Sequence, residues 1–233
     1  MNTKLLLLAL AGILALAVGA TASARTARST IDPSRFSTRI DNPWFPLVPG
    51  TTYVYAGVDG DMRSRDVVTV THGTVSVTGI RCRVVRDLLY HDGRLAERTT
   101  DWYAQERSGD VWYFGEQTAE LDAKGRVTST EGSWQAGVSG ARAGIIMLAH
   151  PRVGKAYQQE FFKGHAEDFA RVIGLFRGVA GSTSGTMLLT AEWTPLEPGV
   201  LDHKLYVRGL GDVVERTVKG GNEYLELQSV RRS

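Results

Sequence analysis

The residues best suited to ligand binding lie in an aromatic segment, Asp101–Gln105 and Val111–Glu116, which reads DWYAQ and VWYFGE on either side of a turn. Side chains alternate between the two faces of a strand, so this hairpin would carry aromatic rings on both faces. Aromatic faces with a few polar groups are the usual lining of a small-molecule pocket. Cross-strand packing within a core that is covered on both sides is the alternative that this pattern leaves open.

A second segment, Gly154–Asp168, reads GKAYQQEFFKGHAED and gathers amide, carboxylate and imidazole groups. A turn at Lys163 and Gly164 would bring several of them side by side. Carboxylates beside an imidazole can bind a metal or transfer protons, and a solvated strand face is the alternative. The spacing lacks the i, i+4 pair of a helical zinc site, so we predict neither a metal site nor a cofactor.

We predict that one ligand site draws on both segments and on a later tryptophan. Its candidate residues are Trp102, Tyr103, Gln105, Trp112, Phe114, Glu116, Trp134, Tyr157, Gln159, Glu160 and Glu167. The leading hypothesis is a non-catalytic protein that holds a small or lipid-like ligand in an aromatic-lined cavity. The alternatives are a hydrolase that uses Glu160, Glu167 or Asp168, and a cell-envelope module that binds other proteins through sheet edges or an aromatic patch.

The lone cysteine, Cys82, excludes a disulfide within the chain. It alternates with Arg81 and Arg83, so it should point away from both. We interpret Cys82 as a small buried hydrophobic residue, with an arginine-activated thiol or an intermolecular disulfide as alternatives. The chain also lacks a nucleophile elbow, a phosphate-binding loop and a dinucleotide fingerprint.

The elements that must position these residues are strands. From residue 51 onwards, short runs alternate with a period of two, as Val68 and Val70 do with Thr69, which is the pattern of half-buried strands. Turn pairs such as Asp92-Gly93 recur about every 8 to 14 residues and suit hairpins. These features predict a mainly all-β protein: a single antiparallel curved sheet, half-barrel or barrel-like, with about 10–12 strands and few or no helices.

Three segments depart from this pattern or are ambiguous. Asp41–Pro46 has two prolines that bracket two aromatic rings, which predicts an irregular segment plugging one end of the core. Ala143–Ala149 has the composition of one short helix. Ala166–Ile173 also has helical composition, but it lies between glycines and is predicted to be a strand.

The N-terminus has the layout of a secretory signal peptide. Lys4 precedes the apolar run Leu5–Val18, and Ala22-Ser23-Ala24 forms a small-x-small cleavage site, with Ala20-Thr21-Ala22 as a second option. The run is too short to span a membrane, and no lipid-anchor cysteine follows it. We predict a signal peptide over residues 1–24, a flexible arm over 25–35, one β-rich domain over 36–233, and a secreted or periplasmic location.

The charge balance limits the kinds of partner. A net charge of +2 offers no clustered basic surface for nucleic acid. No stretch after the signal is long and apolar enough to span a membrane, and no pattern signals an oligomer. The expected partner is therefore a small apolar or lipid ligand.

Several of these segments resemble an uncharacterised family of exported bacterial β-rich proteins. The likeness runs from about Phe36 to Val230 and rests on DWYAQ, VWYFGE, EGSWQAG, GKAYQQE followed by AED, and KGGNE. More loosely, the strand, Gly-x-Gly and strand of Tyr206–Thr217 resemble the last hairpin of periplasmic half-barrels that carry lipids or lipoproteins. The first resemblance implies fold and export without an activity, and the second implies a curved sheet over an apolar hollow.

Overall fold

One antiparallel sheet curls until its two edges almost meet. The computed structural model describes residues 31–233, so the predicted signal peptide and most of the predicted arm lie outside the described residues. The sheet has 16 strands, in the order β10-β12-β13-β14-β15-β16-β2-β3-β4-β5-β6-β9-β11, with β1, β7 and β8 attached beside β5 and β6. The predicted all-β, barrel-like fold is confirmed.

The strands alternate with tight turns along the chain. In order they are β1 (Phe36–Ser37), β2 (Thr51–Asp59), β3 (Met62–Val77), β4 (Ile80–His91), β5 (Arg94–Glu106), β6 (Val111–Leu121), β7 (Val127–Ser129), β8 (Trp134–Gln135), β9 (Arg142–Met147), β10 (Ala156–Gln158), β11 (Glu160–Phe161), β12 (Phe169–Ala180), β13 (Thr183–Trp193), β14 (Leu201–Val207), β15 (Gly211–Lys219) and β16 (Tyr224–Arg232). The count exceeds the predicted 10–12 because five strands have only two or three residues, too few to show a period of two.

Local sequence chemistry accounts for most of the hairpins. Asp92 and Gly93 adopt φ values of 50° and 80°, the left-handed pair that a two-residue hairpin turn between β4 and β5 requires. Within residues 31–233 the only helical element is a 3-10 turn at Pro33–Arg35, and no helix is long and apolar enough to cross a membrane.

The two ambiguous segments are both strands. Phe169–Ala180 forms β12, which confirms the prediction for Ala166–Ile173 over its second half. The predicted helix at Ala143–Ala149 is wrong, because residues 142–147 form β9 and pair with both β6 and β11. Ladder hydrogen bonds to two neighbouring strands outweigh the weak helical preference of this short segment.

The segment Ala156–Phe161 brings the sheet edges together. Its first half, β10, pairs with β12 at one edge, whereas its second half, β11, pairs with β9 at the other. Between them, the Gln159 N–H donates to the Asp168 carbonyl over 2.7 Å. Gly144 of β9 permits this approach, because a Cβ there would overlap the Gln159 carbonyl.

The segment Ile40–Leu47, called the plug below, closes one end of the barrel. Ile40, Trp44 and Leu47 are buried, as the sequence predicts for the rings of this region. Asn42 is buried as well, and its side-chain nitrogen donates to the Gly109 and Leu148 carbonyls over 2.9 and 3.2 Å. These bonds tie the plug to two loops at the same end of the barrel.

Candidate functional site

The inward faces of the strands carry an unusual number of carboxylic acids. We call this set the acidic belt; it comprises Asp66, Asp87, Asp101, Glu116, Glu160, Asp168, Glu192, Asp212 and Glu215. Neighbouring strands contribute successive members: Asp101 of β5 pairs directly with Glu116 of β6, and Val68, two residues after Asp66, pairs with Asp87. The belt therefore follows the hydrogen-bonded order of the sheet.

Alternation along each strand explains why these acids face inward. Asp66, Val68 and Val70 occupy alternate positions of β3, so their side chains point to the same face of the sheet. Val70 is fully buried, which identifies this face as the inner one. Thr99, Asp101 and Tyr103 are alternate residues of β5, and all three side chains are buried. The interior of this barrel is therefore polar at the level where an ordinary core would be apolar.

A single lysine faces part of the belt. The Lys204 ammonium lies 3.0 Å from a Glu215 oxygen and 3.7 Å from a Glu192 oxygen. Burial lowers the pKa of Lys204, but the Glu215 and Glu192 carboxylates outweigh burial and hold that pKa well above its usual range. Lys204 therefore stays charged and neutralises the acids on its own side of the barrel.

Within residues 31–233 no other basic side chain forms an ion pair with the belt, and burial raises the pKa values of its remaining acids. Burial, with a smaller effect of the Asp87 carboxylate, raises the pKa of Asp101 to about 7. Burial and the neighbouring Asp168 raise the pKa of Glu160 to about 8. Burial likewise raises the pKa of Asp66 and of Glu116 far above the ordinary carboxylate range.

Aromatic side chains from the two predicted segments support one side of the belt. Tyr103 stacks on Tyr113 with ring centroids 4.7 Å apart, and Trp134 meets Tyr113 edge-on at 5.3 Å. The Tyr113 hydroxyl donates to Asp101 Oδ1 over 2.6 Å, and Trp134 Nε1 donates to Glu160 Oε1 over 3.3 Å. These donors hold two acids in fixed orientations.

A cavity of about 160 Å³ lies between the plug and the acidic belt. Phe45, Pro46 and Leu47 of the plug form its roof. Its polar lining consists of Tyr53, Tyr55, Asp66, Asp87, Asp101, Tyr103, Lys204, Asp212 and Glu215. Among the described residues that line it, five are acidic and Lys204 alone is basic. The Asp66 and Asp212 carboxyls each have one buried oxygen without a hydrogen-bond partner in residues 31–233.

The structure brings about half of the sequence-predicted site residues to this interior. Tyr103 lines the cavity. Glu116, Trp134 and Glu160 lie in or against the belt, while Tyr157 is buried near the charges of Glu192 and Lys204. The Tyr157 hydroxyl also lacks a hydrogen-bond partner among the described residues.

The other predicted residues have different positions. Trp112 and Phe114 point to the opposite face of β6, where both rings meet Phe36 edge-on at 5.9 and 5.5 Å. Trp102 alternates with Tyr103 and faces away from the cavity as well. The two-sided aromatic pattern is thus explained by two separate layers, one inside the barrel and one beneath the N-terminal strand.

Three polar candidates have local roles. Gln105 Oε1 accepts hydrogen bonds from the Asp41 and Asn42 N–H groups, both over 2.9 Å, and so fixes the plug. Glu167 Oε1 accepts from the Gly164 N–H over 2.7 Å and stabilises an exposed turn. Gln159 contributes its backbone to the closure of the barrel.

The acids suggested for a hydrolase are only partly assembled. Glu160 and Asp168 are close enough for Asp168 to raise the Glu160 pKa, but Glu167 belongs to the turn described above. His165 is exposed and stacks on Phe162 at 4.3 Å. Within residues 31–233, no three His, Cys, Asp or Glu side chains are arranged to hold a metal ion.

Cys82 is fully buried, and burial raises its pKa to about 12. A thiol with so high a pKa is not a nucleophile at neutral pH, so the arginine-activated alternative is wrong. Arg83 does not face the thiol; its guanidinium donates to the carbonyls of Thr38, Thr71, His72 and Gly73.

Sequence analysis did not predict seven residues of this interior as site residues: Asp66, Asp87, Asp101, Glu192, Lys204, Asp212 and Glu215. Alternation along β3 could have predicted one of them, because Asp66 falls on the same face as the apolar Val68 and Val70 and therefore on the buried side. Within a single strand, each such acid is one polar residue on an otherwise apolar face. Only the closed sheet shows that the exceptions share one space.

Comparisons with known proteins give little further information. No family model matches the chain, and no curated protein is significantly similar to it. A solved structure described as a "putative lipoprotein" from Parabacteroides distasonis is similar at 11% sequence identity and a TM-score of 0.43, covering 82% of this chain and 99% of the other.

Proposed function

We propose that this protein is a non-catalytic binding protein that holds a small cationic molecule inside the barrel. The observation that carries the proposal is the lining of the cavity, where five carboxyl groups face one lysine. Burial raises the pKa of Asp66, Asp87 and Asp101, so a further cation beside them would favour their ionised forms. Among the described residues, Lys204 lies within ion-pair distance of only Glu215 and Glu192. An ammonium group beside Asp66, Asp87 and Asp101 would supply the missing positive charge.

The size of the cavity favours a small ligand over a lipid. At about 160 Å³, it matches cavities that accept a benzene-sized molecule, of about 150 Å³. Pockets for larger ligands usually have about 300–1,000 Å³. Of the two ligand classes predicted from the sequence, the small molecule therefore fits this volume.

The tyrosines of the cavity suit an organic cation. Tyr55 and Tyr103 line it together with the acids, and aromatic faces attract ammonium groups in a desolvated site. Asp66 and Asp212 each offer an unpaired oxygen that an N–H donor could reach. A primary or quaternary ammonium on a short apolar body fits both the charge and the apolar roof.

We place this binding role outside the cytoplasm because the sequence predicts an N-terminal signal peptide. Determination of the N-terminus of protein secreted by its own host tests this placement. Cleavage after Ala22 or Ala24 is expected, and an intact Met1 in the cell-free fraction would contradict it.

Isothermal titration with butylamine and tetramethylammonium tests the ligand class, with butanol as the neutral match for butylamine. We expect both cations to bind and butanol not to bind. The double variant Asp66→Asn/Asp87→Asn should weaken cation binding by about tenfold or more, since each charge-assisted contact is worth about 1.5–3 kcal/mol. Glu131→Gln removes an exposed acid and should leave binding unchanged. Equal binding of butanol and butylamine would overturn the proposal.

A further inference from the structure

We propose that the outer half of the β12–β13 hairpin, together with the loop Pro151–Lys155, is a docking surface for an anionic lipid bilayer. This surface is separate from the cavity and involves none of the residues of the acidic belt. Its apolar members are Val153, Ile173, Leu175, Phe176 and Val179, and its basic members are Arg152, Lys155, Arg171, Arg177 and Arg208. We call it the basic–apolar surface.

The apolar side chains of this hairpin are exposed to an unusual degree. Val179 is 75% exposed, Leu175 46% and Phe176 44%, and Val153 of the adjoining loop is 62% exposed. Soluble proteins rarely group large apolar side chains on one exposed element unless the group binds something.

The local structure explains why these side chains face outward. An extra residue, Ile173, interrupts the pairing of β12 with β13 and bends the hairpin, as β-bulges do. Ala180 packs with Met187 against Val207 and Val213. Leu175 and Val179 alternate with Phe176 and Ala180 along β12, so the exposed apolar side chains occupy both faces of the hairpin. Arg177 lies on the face of Leu175 and Val179.

The pieces of the surface are held together by hydrogen bonds. Gly154 N–H donates to the Val172 carbonyl over 2.8 Å, and Val172 N–H donates to the Lys155 carbonyl over 3.0 Å. Arg208 N–H donates to the Thr186 carbonyl over 3.0 Å. Leu175, Arg152 and Arg208 border one shallow groove, together with Asp41 of the plug.

The charge of the surface selects its partner. Residues 169–191 contain two arginines and no acidic residue, and residues 150–155 contain Arg152 and Lys155 and no acidic residue. The acids beside the surface are Glu226 at the Gly181 turn and Asp41 at the groove, so basic side chains are in excess. The five basic side chains are all exposed. Apolar side chains that enter the interface while arginines and lysines meet phosphate groups are the signature of peripheral binding to anionic lipid.

Co-sedimentation of the purified protein with vesicles tests this inference. We expect binding to vesicles that contain phosphatidylglycerol, weak binding to pure phosphatidylcholine vesicles, and loss of binding at high salt. Val179→Glu should weaken binding by about tenfold or more, and Arg177→Gln by about fivefold. Each side chain is exposed, so neither change should disturb folding, which circular dichroism checks.

Matched variants elsewhere on the barrel provide the controls. Val138→Glu alters a valine that is 51% exposed, and Arg81→Gln removes an exposed arginine; both should bind as the unchanged protein does. Equal binding to the two kinds of vesicle, or equal effects of Val179→Glu and Val138→Glu, would overturn the inference. A dimer that sedimentation velocity detects and Val179→Glu dissociates would assign the surface to a second copy of the chain instead.

Discussion

At the scale of single residues, Lys204 determines how much negative charge the interior can hold. Its ammonium contacts Glu215 and Glu192, and Glu192 also accepts a hydrogen bond from the Thr190 hydroxyl over 2.8 Å. Because the three charged groups lie side by side in a buried setting, the loss of the cation leaves two carboxylates without compensation.

Lys204→Met should therefore lower the free energy of unfolding by about 3–5 kcal/mol. Chemical denaturation at pH 7 measures this change. Glu215→Gln in the same chain should restore part of the loss, because it removes one of the stranded charges. Lys219→Met, which alters an exposed lysine, serves as the control. A loss in Lys204→Met no larger than that of the control would contradict the assigned role.

At the scale of elements, the closure of the barrel depends on a close backbone approach. The β10 and β11 strands are only three and two residues long, so few ladder hydrogen bonds hold the two sheet edges together. Gly144 of β9 lies against the Gln159 carbonyl with no room for a side chain.

Gly144→Ala should open this closure and destabilise the protein by about 1–3 kcal/mol, the usual cost of forcing extra volume into a packed site. Compared with the unchanged protein, the variant should show a larger increase in hydrogen exchange in β9 and β11 than in β4 and β5. Gly73→Ala is the control, because its added Cβ would meet a Thr71 hydroxyl at 3.2 Å rather than backbone. Uniformly faster exchange in all strands would mean that Gly144 does not act locally at the closure.

At the scale of the whole molecule, the acidic belt makes stability depend on pH. The Asp101 pKa is raised from 3.8 to about 7 and the Glu160 pKa from 4.5 to about 8. At pH values between the ordinary and the raised pKa of each group, the folded state binds more protons than the unfolded state. The free energy of unfolding therefore falls as pH rises through this range. The stabilisation is complete below about pH 4 for these two groups and is lost as pH passes 7 and 8.

Thermal unfolding should therefore show a lower midpoint at pH 8 than at pH 5. Asp101 loses its excess folded-state proton over about two pH units of this range, from 5 to 7, so at about 1.4 kcal/mol per unit it contributes about 3 kcal/mol to the difference. Asp101→Asn should flatten the dependence between pH 5 and 7, whereas Glu131→Gln should not. Stability that rises from pH 5 to pH 8 would show that the belt is ionised and compensated in the folded state.

Local sequence patterns were sufficient to predict most elements of this protein. Alternation with a period of two and turn pairs such as Asp92-Gly93 are local properties, so strands, hairpins and the antiparallel all-β class could be predicted from them. The plug was predictable for the same reason, since its prolines and aromatic rings are contiguous. The short strand β9 was not, because its pairing partners are distant in the chain and its own composition favours a helix.

Closure of the sheet, by contrast, set which face of each strand became the interior and which side chains met there. A period of two separates two faces but does not say which of them will be enclosed, and in this barrel the N-terminal strand covers part of the outer face as well. Trp112 and Phe114 went to that outer layer, whereas Asp66, Asp87 and Lys204 met inside although up to 138 positions separate them in the sequence. The cavity and its charge belong to no single segment, because closure of the sheet creates both.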